Sequence, residues 1–156
     1  MVHKFRIFAF CYALTALSPL AASNAAQACG IIDRTAQIQV NDYRISVELA
    51  ISEEEKACGL SFRDTLAEDH GMLFLYSDKQ ALTFWMKDTR IPLSIAFLED
   101  NGTILNILEM QPMDSKTLYH SAAPARYVLE MPAKWFADHQ VKPGDRVVFD
   151  LTAVLN

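Results

Sequence analysis

From residue 37 the chain alternates polar and apolar positions with a period of two. Ile38 and Val40 alternate with Gln37 and Gln39, and Ile45, Val47 and Leu49 with Ser46 and Glu48. This is the pattern of strands that bury one face. Asn41-Asp42 between them supplies turn residues, so the two segments read as a hairpin. Ser52-Glu53-Glu54-Glu55 then has the form of a capping box, with Ser52 capping a helix and Glu55 reaching back. Gly59 stands where a C-cap glycine belongs, which predicts two helical turns from Glu53 to Cys58.

Further on, short apolar runs replace strict alternation. Gly71 to Tyr76, Leu82 to Met86, Leu93 to Leu98, Tyr127 to Met131 and Val147 to Leu151 each read as a strand. Asp100-Asn101-Gly102 is a hairpin turn leading into Thr103 to Glu109. Residues 111–125, with Pro112 and Pro124, read as a loop, and Ala133 to His139 as one or two helical turns. Many short strands between turn signals predict a mainly β domain, a compact antiparallel sandwich or barrel of jelly-roll character with a few short helices.

The N-terminus has a different pattern. Lys4 and Arg6 precede an apolar stretch from Ile7 to Leu20, followed by small residues ending Ala26-Gln27-Ala28. That is the layout of a cleavable signal peptide over residues 1–28. The apolar run falls short of the roughly 20 residues needed to span a bilayer. The expected product is a single domain, residues 29–156, periplasmic or secreted, with no transmembrane segment in the mature chain. Cleavage after Ala28 leaves Cys29 first, which admits a lipid anchor. Gln27 fits the lipoprotein pattern poorly, so the free domain is the stronger expectation.

Composition narrows the function classes. Removing residues 1–28 leaves twelve basic and nineteen acidic residues, a net charge of −7. An acidic chain without a basic cluster argues against nucleic acid as a partner. Cys29 and Cys58 remain, a pair able to form a disulfide in an oxidising compartment; the alternative is a buried Cys58 and a loose Cys29. No C-x-x-C, H-E-x-x-H or G-x-S-x-G motif is present, so neither a metal nor a cofactor is expected from sequence. Met110 and Met113 suggest a soft-metal site less strongly than they suggest core filling.

The segments Cys58-Gly59-Leu60-Ser61-Phe62-Arg63, Gly71-Met72-Leu73-Phe74, Phe84-Trp85-Met86-Lys87-Asp88-Thr89 and Ile91-Pro92-Leu93 follow one another in order. With Tyr127-Val128-Leu129-Glu130 and Gly144-Asp145, this succession resembles the domain of unknown function 192 family. The resemblance spans roughly residues 38–151 and implies a compact, mainly antiparallel β fold, but no established activity. Three positions depart from the pattern. Ser61 stands where the family often has Met, Asp88 where it often has Asn, and Ser94 where it often has Asp. A mechanism needing a carboxylate after Pro92-Leu93 would require Asp88 to substitute.

Trp85, Lys87, Asp88 and Thr89 form the most informative cluster. An aromatic beside charged and hydroxyl groups at a strand end suits a pocket that stacks and hydrogen-bonds a ligand. The alternative is a core Trp85 with Lys87 and Asp88 in a solvated turn. Arg63 is a candidate carboxylate or phosphate clamp, or else a salt-bridge partner of Asp64, Glu68 or Glu130. His120, in the long loop, is the acid/base candidate, with Asp88 or Glu130 as its partner. His70 and His139 are expected to face solvent. Glu109 and Glu130 lie in otherwise apolar strands, either exposed or paired in a pocket. The leading expectation is an exported module that binds a small polar ligand such as a sugar or cell-wall fragment. The alternatives are an envelope hydrolase or lyase using His120, and a structural or assembly factor that binds another envelope protein.

Overall fold

The computed structural model describes residues 29–30, 32–150 and 152. The expected signal peptide lies outside the described residues. Among the described residues nine strands and two short helices follow in the order β1 (Thr35–Val40), β2 (Tyr43–Ala50), α1 (Glu53–Cys58), β3 (His70–Gln80), β4 (Thr83–Phe84), β5 (Leu93–Leu98), β6 (Ile104–Met110), β7 (Tyr119–His120), β8 (Ala125–Pro132), α2 (Trp135–Asp138) and β9 (Val147–Val148). Seven strands make one sheet in the order β6-β5-β8-β3-β2-β1-β9, while β4 and β7 pair separately. The fold is mainly β, as the patterning requires. Among the described residues no helix is long and apolar enough to cross a membrane.

Antiparallel pairing holds at every strand pair except β2–β3, which runs parallel with Ser46 opposite His70. A parallel pair needs a crossover of a dozen or more residues. Residues 51–69, containing α1, supply it. Helix α1 forms as its sequence dictates. Ser52 accepts a hydrogen bond from the Glu55 amide, and the Glu55 carboxylate accepts one from the Ser52 amide. Gly59 ends it at φ 50°, a region glycine enters at little cost.

The apolar runs that lack alternation have a common cause: the sheet is covered on both faces. On β3, β5 and β8, Leu73, Leu75, Ala96, Leu98, Leu129 and Met131 face one core. Met72, Phe74, Leu93, Ile95, Phe97 and Val128 face the other. Successive side chains on a strand point to opposite faces, so a strand buried on both sides reads as continuous apolar sequence. The first core is closed by α2, whose Trp135 and Phe136 are buried in it. The second is closed by Ile32, Leu60, Leu82, Met86, Ile91 and Tyr119. Gly71 lets β3 and β8 approach: a Cβ there would lie 2.4 Å from the Glu130 carbonyl oxygen and from Met131 Sδ.

Several elements are shorter than the patterning predicts. The Leu82–Met86 segment keeps only Thr83–Phe84 as strand, because the Met86 amide donates to the Asp114 carbonyl and the chain turns. β9 is only Val147–Val148, and residues 111–125 contain β7 rather than loop alone. His139 is not solvent-facing; its ring stacks on Trp135 at 4.3 Å and its Nδ1 lies 2.8 Å from the Trp135 carbonyl oxygen. His70 is exposed. Met72, Met86 and Met110 lie in one core and Met131 in the other, while Met113 is exposed. Among the described residues no three His, Cys, Asp or Glu side chains cluster as metal ligands would.

Candidate functional site

The second core contains one carboxyl group. Glu130 lies on β8 opposite Met72 of β3 and Ile95 of β5, in the middle of the sheet. Its residue parity, shared with Val128, turns the side chain toward the face covered by α1 and β4. It is 4% exposed. No described residue hydrogen-bonds its carboxyl group or forms an ion pair with it. Burial alone pushes the group up to about 8, because an apolar surround penalises the charged form. At neutral pH Glu130 therefore holds its proton, with an O–H to donate and an oxygen to accept.

Glu130 reaches a cleft lined also by Lys56, Cys58, Gly59, Ser61, Trp85, Lys87 and Thr89. The inner recess measures about 40 Å³, room for about three to four waters at roughly 10–15 Å³ each. An outer hollow of about 410 Å³ adjoins it through Trp85 and Lys87, with Asp88, Met113 and Ser115 on its other sides. Trp85 is 51% exposed at this mouth, and Lys87 Nζ lies 5.5 Å from its ring centroid. Trp85 faces out because its neighbours face in. Phe84 packs edge-on against Phe74 and Phe97 at 5.0 and 5.9 Å, and Met86 is buried.

The cleft wall is the end of α1. Lys56 Nζ sits 2.6 Å from Glu53 and 4.6 Å from the centroid of the Tyr76 ring. Burial, then the charges of Glu53 and Glu130, push the Tyr76 hydroxyl up to about 12. Cys58 is bonded to Cys29, tethering the helix end to the N-terminal segment. Thr89 is buried; its Oγ1 lies 3.5 Å from Ser61 Oγ, and both hydroxyls lie 3.4 Å from the Lys87 carbonyl oxygen. These are long contacts for hydroxyl donors.

The candidates named from sequence thus separate. Trp85, Lys87, Thr89 and Glu130 converge on one cleft, and Asp88 borders its outer hollow at φ 59°. Arg63 does not join them. Its guanidinium grips the Glu48 carboxylate through both terminal nitrogens, joining the β2–β3 crossover to β2 rather than pairing with any of the acids expected for it. His120 is exposed on β7, its Nδ1 3.0 Å from Thr83 Oγ1, and it does not line the cleft with Glu130. Asp88 does not stand in for a carboxylate at position 94. Ser94 points to the opposite face of the sheet, where its Oγ donates to Glu109 at 2.6 Å and accepts from the Lys134 amide at 2.8 Å. Lys56 and Ser61 were not identified from sequence. Their one signal was adjacency to Cys58-Gly59-Leu60, since their approach to Glu130 depends on the crossover.

The family model for DUF192, described as an uncharacterized ACR, matches residues 20–149. No curated protein matches the chain. Among solved structures, the chain is similar to a protein of Sinorhizobium meliloti 1021 described as a "putative transcription regulator". The two are 31% identical over 77% of this chain and 97% of the other, with a TM-score of 0.73. It is also similar to a protein of unknown function from Novosphingobium aromaticivorans DSM 12444, 35% identical over 73% of this chain and 83% of that one, with a TM-score of 0.66.

Proposed function

The chain belongs to the DUF192 family, and on that premise we propose that it is a binding module for a small polar ligand, such as a sugar or cell-wall fragment, held in the cleft above Glu130. The observation that carries this reading is the unpartnered carboxyl group of Glu130. A carboxyl group that faces the recess with no protein partner is available to a ligand that enters and takes the place of water there. The exposed face of Trp85 offers a stacking surface at the mouth, and Thr89 and Ser61 offer hydroxyls inside. The enzyme reading has less support, because His120 lies away from the cleft and, among the described residues, no second carboxylate and no imidazole lines the recess with Glu130.

The test is a thermal-shift screen with glucose, N-acetylglucosamine and a muramyl peptide. A ligand that prefers the folded state raises the melting temperature. Trp85→Ala should abolish that rise while changing the stability of the free protein by less than about 0.5 kcal/mol, the usual range for an exposed site. Unfolding on that substitution would sink the stacking role.

The proposed location is periplasmic or secreted, after cleavage near Ala28. The charged-then-apolar N-terminus and the Cys29–Cys58 bond support it. N-terminal sequencing of the protein from a periplasmic fraction should begin at Cys29. A chain that starts at Met1 in the cytoplasm would overturn the assignment.

A further inference from the structure

Resting on the ligand-binding reading, we propose that the recess is selective for an oxyanion, the carboxylate or phosphate of a small hydroxylated ligand, with Lys87 and Lys56 at its mouth and the Glu130 O–H at its floor. The charge distribution argues for this. The chain carries a net charge of −5, yet the charged side chains lining the recess with Glu130 are two lysines. Among the described residues the Lys87 ammonium has no acidic partner and stands against the Trp85 ring. Lys56 is held by Glu53. A cation entering the recess would meet the uncompensated Lys87 ammonium and would have to expel the Glu130 proton. An anion meets charge complementarity and accepts that O–H, a charge-assisted hydrogen bond of the stronger kind.

Size agrees with a head group inside and a body outside. The recess of about 40 Å³ admits a carboxylate or phosphate, and the hollow of about 410 Å³ takes the remainder beside Trp85. The hydroxyls of Ser61 and Thr89, engaged only by contacts of 3.4–3.5 Å, are free to turn inward. The groups around Glu130 set the pH response. Tyr76 on β3 and the Lys56–Glu53 pair on α1 stand on one side. Lys87 follows β4, with Asp88 on the outer hollow. The cross-strand neighbours Met72 and Ile95 are apolar, and Glu48 on β2 is engaged by Arg63. The nearest group that titrates between about pH 6 and pH 9 is thus Glu130 itself, which holds its proton up to about 8. An anion binds the protonated form, so affinity falls as pH rises past that point.

Calorimetric titration of the purified protein tests this with four probes: glucuronate, glucose 6-phosphate, inorganic phosphate and, as neutral control, glucose. At about pH 6, glucuronate or the phosphates should bind at least tenfold more tightly than glucose, and whichever of these wins identifies the head group. Glucuronate stays ionised throughout, so its affinity reports Glu130. It should fall about tenfold or more from pH 6 to pH 9, a difference of about 1.4 kcal/mol. Lys87→Gln should weaken the anions selectively. Glu130→Gln, which keeps a donor but cannot ionise, should bind with a flat pH profile. Equal affinity for glucose and glucuronate would overturn oxyanion selectivity and leave the binding module standing. No binding of any of the four would overturn the selectivity, while the broader screen still decides the module. A pH-dependent Glu130→Gln would remove Glu130 from the site.

Discussion

The two faces of the sheet bury similar strands under different covers. On one face α2, only four residues long, inserts Trp135 and Phe136 into the core, and a closed, apolar interior results in which Trp135 Nε1 is buried without a hydrogen-bond partner. Glu109, on that side, is exposed, and its carboxylate accepts from Ser94 Oγ at 2.6 Å and the Lys134 amide at 3.1 Å. On the other face α1 contributes no buried residue. It is anchored at its ends, by Glu55 to Arg34 and by Cys58 to Cys29. Beneath it Glu130 is left without a partner. The difference teaches where this fold can hold a site. A cover that packs into the sheet excludes everything else, whereas a cover tethered over it leaves a recess, and the polar group lies in the recess.

The comparison can be broken from either side, starting with the closed face. Phe136→Ala should cost about 3–5 kcal/mol in chemical denaturation, as core aromatics do. A loss under about 1 kcal/mol would mean that α2 does not seal that core. On the tethered face, Cys58→Ser, or reduction, should cost somewhat less. The bridge closes a loop with a separation of 29 residues, worth roughly 3–4 kcal/mol on the chain-entropy model. Wild-type stability under reducing conditions would show that α1 is held by other contacts.

The smallest effect concerns Glu130. Its folded-state value lies near 8, raised from 4.5 by burial. Between those values the folded protein keeps a proton that the unfolded chain has lost. Stability is therefore highest at acid pH with respect to this group, and it falls as pH rises toward about 8. Glu130→Gln should flatten that fall and be more stable than the wild type at pH 9, because the amide cannot ionise and so avoids burying a charge. An unchanged pH profile would mean that the carboxyl group is solvated or paired in solution.

Local features were legible because local physics decides them. The capping box at Ser52 and Glu55, the Asn41-Asp42 turn and the Asp100-Asn101-Gly102 turn form where the residue types place them. The alternation that sends Phe84 and Met86 inward and Trp85 outward survives although the strand shrinks to two residues, because two large apolar side chains outweigh one. Site residues were legible only in part. Trp85, Lys87 and Thr89 stood out through their clustering in sequence. Lys56 did not, because the crossover over the sheet brings it to Glu130.

The same distinction applies to the acidic residues. Sequence placed Glu109 and Glu130 in apolar strands but could not say which of them was exposed or paired. In a sheet covered on both faces, strand parity does not separate inside from outside. Nor could it find Glu48 for Arg63, since that pair depends on β2 meeting the end of the crossover. By itself the sequence determined the strands, the caps, the turns and the mainly β class, all set by neighbours a few residues apart. Only the tertiary structure decided the parallel β2–β3 pair, the unequal covers and the isolation of Glu130. Those depend on which distant segments meet, and a carboxyl group's chemistry depends on its surroundings.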